Sequence, residues 1–405
     1  MEKKPNWKSS RLIFESFFAT LLVFAIIWLL ELVVINLSFF DPFEKAFGDF
    51  QYTDVLYSRI GRAQTNPDTN IVLLSIDDLT RGEIANLLGD LNSYSPAVVG
   101  IDILFTERKD PGTDSLLKVR LQETHNLVMP GYLTEDVQGK LTGYIKSNPF
   151  FGNLPTGHVN FIASDPERST VRSFDPELIF HGDTIPSFSW VLLRMCDPVR
   201  FTKSRNQIPD QCIIHYQGNA DQFIQISGRK ALEHPSLLGI ARSKIVLMGS
   251  FYPTESPVQS IEDKYFTPLN SQISGRSLPD MYGVVIHANI LSMMLHGNYI
   301  RTVPRILELI ISYFLCMMLI LFFLYLFRSN HTWYPPVTKL TQLIYVIILL
   351  FLVLWFYHTL RIKFDPLLLF LGIVLSAELI YFYDLLVKLL QKWFGIRSYL
   401  TSPDP

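Results

Sequence analysis

Residues 281–327 read MYGVVIHANILSMMLHGNYIRTVPRILELIISYFLCMMLILFFLYLF, and this stretch decides the architecture of the chain. An apolar helix is predicted at 283–295, and Gly297 is expected to end it, because glycine readily adopts the left-handed conformation found after helices. After Pro304 comes an unbroken apolar run, residues 306–327, long enough for a helix to cross a bilayer. A domain helix is thus followed almost at once by a membrane helix, and a joint this short transmits a displacement that a long flexible linker would dissipate.

The composition of the whole chain also indicates a membrane protein. Of its 405 residues, 49% are hydrophobic and only 18% are charged, which is more apolar than an ordinary soluble protein. The net charge of -2 provides no broad basic surface, which excludes nucleic acid as a partner. A chain of this length exceeds the size of a single hydrophobic core, so at least two structural units are expected.

Four segments are long and apolar enough to be transmembrane helices, and the lipid bilayer is therefore a direct partner. They are residues 17–37, 306–327, 343–357 and 367–383. Lys and Arg are concentrated before the first segment, between the second and third, and after the fourth, which predicts cytoplasmic termini in the cell (inner) membrane. The first segment is predicted to be an uncleaved signal anchor, because no small-residue cleavage site follows it.

This topology divides the chain into a cytoplasmic N-terminus at 1–16, an extracytoplasmic segment at 41–305 and a cytoplasmic tail at 384–405. Residues 41–303 are predicted to form an α/β domain with a mixed sheet, since short apolar runs alternate there with amphipathic stretches. The predicted strands are residues 71–76, 97–105, 126–129, 158–162, 223–226 and 244–248. A helix at 79–91 would connect the first two strands as a βαβ unit and make them parallel.

Acidic residues follow the first two predicted strands: Asp77 and Asp78 come after one, and Asp102 lies within the end of the other. Ligands bind at the carboxyl ends of parallel strands, and clustered carboxylates could hold Mg²⁺ or Ca²⁺. The alternative is structural: Asp77 or Asp78 caps the following helix and Asp102 completes a hydrogen bond at the strand end. The structural alternative is preferred, because no nucleophile, catalytic histidine or phosphate-binding loop accompanies these acids.

Polar residues also occur in the helix at 283–295, where His287 and Asn289 lie among apolar residues. His287 could contact a ligand or sense pH, or it could be a core histidine hydrogen-bonded to a backbone carbonyl. Thr267 and Pro268 predict a turn in the loop before this helix.

Cys196 and Cys212 could form a disulfide bond in an oxidising compartment or remain free, and the sequence leaves both alternatives open.

Several of these segments, in this order, resemble the second type of CHASE domain, an extracytoplasmic sensory domain of bacterial adenylate cyclases, histidine kinases and serine/threonine kinases. The matching stretches are IVLLSIDD from Ile71, VVGIDILFTE from Val98, ASDPERSTVRSF from Ala163, KIVLMGS from Lys244, an aspartate with FTPL at Asp263 and Phe266, and GVVIHANIL from Gly283. In that family one membrane helix precedes the domain and three usually follow it, as the hydropathy pattern predicts here.

The resemblance implies sensing of an extracytoplasmic ligand, with no catalytic residue, metal or cofactor. Carried over residue by residue, the family pattern selects positions that either line a binding site or stabilise the fold, namely Asp77, Asp102, Asp165, Arg172, Asp263, Thr267, Pro268, His287 and Asn289. Asp165, Arg168 and Arg172 could form an ion-pair cluster or an anion site, and the ion pair is preferred.

Relatives carry an effector after the last membrane helix, whereas residues 384–405 offer only a short amphipathic segment, LLVKLLQKWFGI, and a polar end. This segment suits the membrane surface, with docking to a partner as the alternative.

The leading hypothesis is a sensor or receptor subunit without its own output domain, which passes its signal to a separate membrane or cytoplasmic effector. By analogy with receptors, a homodimer is an expected assembly. An envelope scaffold that binds a partner without switching is the alternative function, and a metal-dependent enzyme using Asp77, Asp78 and Asp102 is the third.

Overall fold

The computed structural model describes residues 7–35, 54, 67–76, 78–136, 138–161, 170–253, 263–270, 278–395 and 398–400. The chain forms two compact units. The first, called here the membrane unit, consists of Met1–Gly48 and Arg301–Pro405. The second, called the α/β domain, is Asp49–Ile300.

The membrane unit contains four helices that are long and apolar enough to cross a membrane. They are α1 (Trp7–Ile35), α8 (Arg305–Ser329), α9 (Tyr334–Leu360) and α10 (Leu367–Phe394). A short parallel pair, β14 (Arg301–Thr302) with β15 (Ile362–Lys363), also belongs to this unit. The four predicted membrane helices are therefore confirmed, although each extends beyond its apolar run, because polar residues at the ends continue the helical hydrogen bonding.

Close packing and a few polar contacts hold the membrane helices together. Cys316 of α8 lies so close to Gly372 of α10 that a β-carbon on the glycine would meet its sulfur at 2.6 Å. Gln342 of α9 donates from Nε2 to the carbonyl of Ile373, 2.6 Å away. Glu378 of α10 pairs with a lysine of α9, which gives this intramembrane carboxylate a structural partner.

The α/β domain is built on one main sheet. Among the described residues its strands lie in the order β10-β1-β11-β2-β3-β4, with β5 paired to β3 beyond this path. Their bounds are β1 (Asp68–Ser75), β2 (Val98–Ile101), β3 (Leu127–Glu135), β4 (Leu141–Lys146), β5 (Thr156–His158), β10 (Phe223–Ser227) and β11 (Ile245–Gly249). All pairs are parallel except β3 with β4, so the predicted α/β domain with a mixed sheet is confirmed.

Smaller elements complete the domain. Three two-stranded sheets form from β6 (Ser173–Phe174) with β9 (Cys212–Ile213), β7 (Glu177–Phe180) with β8 (Asp183–Pro186), and β12 (Lys264–Tyr265) with β13 (Met281–Tyr282). The helices are α2 (Arg81–Asn92), α3 (Pro111–Glu123), α4 (Phe188–Cys196), α5 (Pro198–Arg205), α6 (Gly228–Glu233) and α7 (Gly283–His296). Single 3₁₀ turns lie at Pro149–Phe151 and Ala220–Gln222, and a longer 3₁₀ stretch lies at Pro235–Ala241.

Helices cover both faces of the main sheet. Val72 and Val99 point to one face and share a buried cluster with Leu88 of α2 and Leu117 of α3. On the other face α4 packs on β2 and β3, and α7 packs on β1 and β11. Side chains alternate between the faces of a strand, which explains why these strands are apolar throughout.

Glycines on the second face set how closely α4 and α7 approach the sheet. A β-carbon on Gly100 of β2 would lie 2.7 Å from the ring of Phe188 at the start of α4. One on Gly249 of β11 would lie 2.8 Å from the Val284 side chain at the start of α7. Since such distances are shorter than van der Waals contact, the two helices can begin against the strand ends only because these positions lack side chains.

The βαβ unit of β1, α2 and β2 forms as predicted in direction, but the two strands are not neighbours. Strand β11 lies between them and pairs in parallel with both. The sequence pattern shows that β1 and β2 run in the same direction. The insertion of β11, whose residues lie 174 positions after their partners in β1, depends on tertiary packing.

Two local predictions are wrong in detail. Thr80 caps α2 in a reciprocal capping box with Glu83, so neither Asp77 nor Asp78 is the cap; Asp77 itself lies outside the described residues. The strand predicted at 158–162 ends at His158, because the Asn160 side chain then replaces the ladder by bonding both main-chain groups of Leu133, at 2.8 and 2.6 Å.

Candidate functional site

The candidate site lies where β2 and β11 end and α7 begins. Asp102 follows β2 directly, and its backbone N–H donates to the carbonyl of Met248 at 2.7 Å. Gly283, the first residue of α7, donates its N–H to the carbonyl of Asp263 at 3.1 Å. One carboxylate oxygen of Asp102 is 3.9 Å from the place where a β-carbon on Gly283 would lie. The structure thus brings Asp102 and Asp263, two of the predicted site residues, to the first turn of α7.

Asp102 is an unusual carboxyl group in this setting. Burial first, and then the nearby charge of Asp263, together raise its pKa from 3.8 to about 7. Among the described residues its side chain has no hydrogen-bond partner. The carboxyl group therefore changes charge close to neutral pH, and a cation or a hydrogen-bond donor brought to it would stabilise the ionised form.

Aromatic rings enclose the acids on the side of α7. The ring of Tyr265 would lie 3.4 Å from a β-carbon on Gly283, and burial followed by the charges of Asp102 and Asp263 raises the pKa of this tyrosine to about 12. Its ring meets that of Phe161 edge-on, with centroids 5.2 Å apart. Phe161 in turn lies 4.8 Å from the ring of His287, so the acids and the histidine belong to one continuous cluster.

His287 is a buried neutral histidine. Its Nδ1 lies 3.1 Å from the Ser189 hydroxyl of α4, and its ring also contacts Phe188. Burial first, and then the neighbouring His158, together lower the pKa of His287 to about 3, and burial lowers the pKa of His158 to about 4. Of the two alternatives for His287, the structure shows the core histidine. Its side chain contacts a hydroxyl group in place of the expected backbone carbonyl.

Thr267 and Pro268 lie in the loop that leads to α7, and they form the predicted turn. The carbonyl of Thr267 accepts from the N–H of Asn270 at 3.1 Å. Asp280 fixes the turn, since its two carboxylate oxygens accept from the backbone N–H and the hydroxyl of Thr267 at 2.8 and 2.5 Å. Burial raises the pKa of Asp280 to about 6, while these hydrogen bonds act in the opposite direction.

Asn289 holds the loop before β10 against α7. Its Oδ1 accepts from the N–H of Gln217 at 2.8 Å, and its Nδ2 donates to the carbonyl of Gly218 at 3.0 Å. A further bond, 2.9 Å long, joins Nδ2 to the carbonyl of Val285 within the helix. With no exposed surface and its amide fully used, Asn289 stabilises the fold and is not available to a ligand.

Arg172 lies apart from this cluster and forms an ion pair. Its guanidinium contacts both carboxylate oxygens of Asp54, at 3.1 and 2.7 Å, and both side chains are largely buried. A bidentate pair of this kind is the stronger form of Arg–carboxylate contact. Arg172 thus pairs with Asp54, a partner that was not predicted. The expected cluster with Asp165 and Arg168 stays a prediction, because these two residues lie outside the described residues.

The predicted residues therefore separate into two groups. Asp102, Asp263 and His287 share the cluster at the start of α7, whereas Thr267, Pro268, Asn289 and Arg172 hold surrounding loops. Sequence reasoning missed the partners Ser189, His158, Tyr265, Asp280 and Asp54. Ser189 and Asp54 lie 98 and 118 residues from the side chains they bind, a separation that nothing in a single sequence bridges. Asp280 is only 13 residues from Thr267, but no motif marks it as a partner. In the described part of the chain, no group of three His, Cys, Asp or Glu side chains could hold a metal ion.

The cysteines of the domain are free thiols. Cys196 ends α4 and Cys212 begins β9, and burial raises the pKa of their thiols to about 11 and about 12. The first of the two alternatives, a disulfide bond between them, is therefore absent from this structure. Neither thiol is reactive, because the thiolate is the nucleophilic form.

Comparison with known families gives one result that spans both units. The family model of the CHASE2 domain matches residues 19–326, which cover the second half of α1, the whole α/β domain and most of α8. No significant match to a curated protein or to a solved structure was found.

Proposed function

Because the chain belongs to the CHASE2 family of extracytoplasmic sensory domains, we propose that it is a receptor subunit whose α/β domain biases the packing of its membrane helices. It is a membrane protein with an extracytoplasmic domain. An extracytoplasmic ligand would bind one arrangement of the domain better than another. Such differential affinity is what allows a ligand to shift a conformational equilibrium.

One observation carries this proposal, the position of α7. Its first turn lies against the Asp102 and Asp263 cluster, and all but its last two residues are buried inside the domain. It ends at His296 with Gly297 in the left-handed conformation, and α8 begins at Arg305. A change in charge or contacts at the cluster acts on one end of a rigid helix whose other end is joined closely to a membrane helix.

The same geometry argues for sensing without catalysis. The Ser189 hydroxyl and the His287 imidazole contact each other as a nucleophile and its general base would. However, the two residues are only 0% and 3% exposed. A substrate cannot reach them, and the low pKa of His287 makes it a poor base. We therefore propose that the domain is not an enzyme.

The chain is proposed to lie in the inner membrane with both termini in the cytoplasm. Support comes from the basic residues at the start of α1, from Arg328 near the end of α8 and Lys339 near the start of α9, and from those after the apolar part of α10, because Lys and Arg that flank short segments resist translocation. A separate membrane or cytoplasmic protein would then read the packing of the helices on that side.

Cysteine crosslinking between membrane helices tests the proposed coupling. Phe24 of α1 and Tyr313 of α8 have ring centroids 5.5 Å apart, so a Phe24→Cys, Tyr313→Cys pair reports on this contact. Adding Asp102→Asn, which removes the charge at the start of α7, is expected to change the crosslinking rate about fivefold or more, the usual lower range of coupling between sites. Asp183→Asn, an exposed acid of β8, is the matched control and should leave the rate unchanged.

Equal rates in all three proteins would contradict coupling. That result would favour the alternative function, an envelope scaffold that binds a partner without switching.

A further inference from the structure

Residues 398–400, which follow α10, dock on the membrane unit. Ser398 is 3% exposed and Tyr399 is 8% exposed, so these two residues are more buried than the exposed end of α10. Leu400 packs against the apolar core formed by the membrane helices. The three residues are called the tail segment below.

Two charged side chains hold the tail segment through its main chain. Glu15 of α1 accepts a hydrogen bond from the Ser398 hydroxyl at 2.8 Å and a second from the backbone N–H of Tyr399. Arg328 of α8 donates to the carbonyl of Tyr399 at 2.6 Å, and its guanidinium lies 4.6 Å from the ring centroid of the same tyrosine. The N–H and the C=O of one residue are thus bound by opposite charges on two different helices.

This arrangement makes the tail segment and the helices depend on each other. Glu15 is 6% exposed and lies within a candidate membrane span, where an ionised carboxylate without donors is costly. The hydroxyl of Ser398 and the N–H of Tyr399 satisfy it. Hydrogen bonds to charged groups are stronger than bonds between neutral groups, so a small separation of donor and acceptor has a large effect.

The two helices that hold the tail segment are the ones joined to the α/β domain. Helix α1 precedes the domain in the chain, and α8 follows it. A shift of α1 relative to α8 moves Glu15 relative to Arg328, and Tyr399 can satisfy both only while their spacing is kept.

We infer that the tail segment is a latch, closed by Glu15 and Arg328 and opened when α1 and α8 shift. The inference rests on the proposed function, and it names the element through which the membrane unit passes the signal on. In the closed state the main chain of Tyr399 is occupied. In the open state residues 398–400 become an extended peptide that a cytoplasmic protein can bind.

Thiol labelling tests whether the latch is closed by these contacts. Tyr399→Cys keeps the main-chain bonds and places a thiol in the latch, in a Cys196→Ser background; Cys212 and Cys316 are at most 1% exposed. In lipid nanodiscs, where both sides of the protein are accessible, Glu15→Gln is expected to speed maleimide labelling about tenfold or more, because it removes the charge that accepts both bonds. Arg328→Gln should act in the same direction.

Asp384→Asn is the matched control. It removes a carboxylate from the same unit, but one that pairs with Lys388, one turn further along the same helix. This variant should label at the original rate. Equal labelling of Glu15→Gln, Arg328→Gln and the control would overturn the latch.

Adding Asp102→Asn to the labelling variant and to the crosslinking variant shows whether the tail segment is a latch that opens or an anchor that stays in place. A latch predicts that labelling at position 399 changes together with crosslinking between positions 24 and 313. If crosslinking responds and labelling does not, the tail segment is a static anchor and the latch is overturned, while the proposed function stands. If neither responds, the proposed function fails, and the latch fails with it.

Discussion

Replacing Asn289 with alanine is expected to lower the free energy of unfolding of the α/β domain by about 3 kcal/mol. The N–H of Gln217 and the carbonyl of Gly218 lose the amide that binds them, and water has no access to the side chain that held them. Each buried polar group left without a partner costs about 1–3 kcal/mol. Hydrogen exchange of the full chain in nanodiscs, followed at the amides of β1 and β11, measures this loss within the domain.

Asn206→Ala is the control for this substitution. Asn206 is exposed at the end of α5, and changes at such surface positions stay within about 0.5 kcal/mol. A loss for Asn289→Ala that is no larger than the control would show that Asn289 does not hold the loop before β10.

Asp102→Asn is expected to stabilise the domain at pH 8 and to have little effect at pH 4. The pKa of Asp102 is raised from 3.8 to about 7 in the folded protein, so folding favours its protonated form. The stability that this group contributes is fully present below pH 3.8 and is lost as the pH rises through 7. Each pKa unit corresponds to about 1.4 kcal/mol, so the variant should gain at most about 4 kcal/mol over the wild type at pH 8.

Comparing the two proteins at each pH isolates this contribution. His158 and His287 have lowered pKa values, so their contribution to stability is present above their ordinary pKa and is lost as the pH falls toward 4 and 3. That loss is common to wild type and variant and cancels in the difference. Opening free energies from hydrogen exchange at pH 4 to 8, corrected for intrinsic exchange, provide the measurement. A difference that is independent of pH would contradict a half-buried Asp102 that changes its charge near neutral pH.

Features set by local pattern could be predicted from the sequence. The apolar runs of β1, β10 and β11 and the four membrane helices follow from burial of long hydrophobic stretches, which leaves few alternatives. The end of α7 at Gly297 also follows, because a left-handed residue is needed there. These are cases in which a few neighbouring residues decide the structure.

Features set by distant packing could not. Nothing in the pattern of β1 or β2 indicates that β11 inserts between them, since all three are equally apolar. The cap of α2 was assigned to the acids after β1, but Thr80 is nearer the helix and has Glu83 three residues on. After β5 the side chain of Asn160, in place of a further strand residue, bonds the N–H and C=O of Leu133. Strand propensity cannot indicate this outcome.

The candidate site shows the same division. Asp102 and His287 could be selected from the sequence, but their roles depend on neighbours distant in the chain. Asp263 lies 161 residues after Asp102, and Ser189 lies 98 residues before His287. Whether a carboxyl group titrates near neutral pH or a histidine stays neutral is set by burial, which the sequence alone does not specify.

Thiol labelling from both sides of the membrane tests the central claim, which is that a sensory domain outside the cell membrane acts on a tail on its cytoplasmic side. Asp183→Cys places an exposed thiol in the α/β domain and Lys392→Cys an exposed thiol near the end of α10, each in a Cys196→Ser background. In intact spheroplasts an impermeant maleimide should label position 183 at once and position 392 only after permeabilisation. Labelling of position 392 with protection of position 183 would place the domain in the cytoplasm and contradict the account.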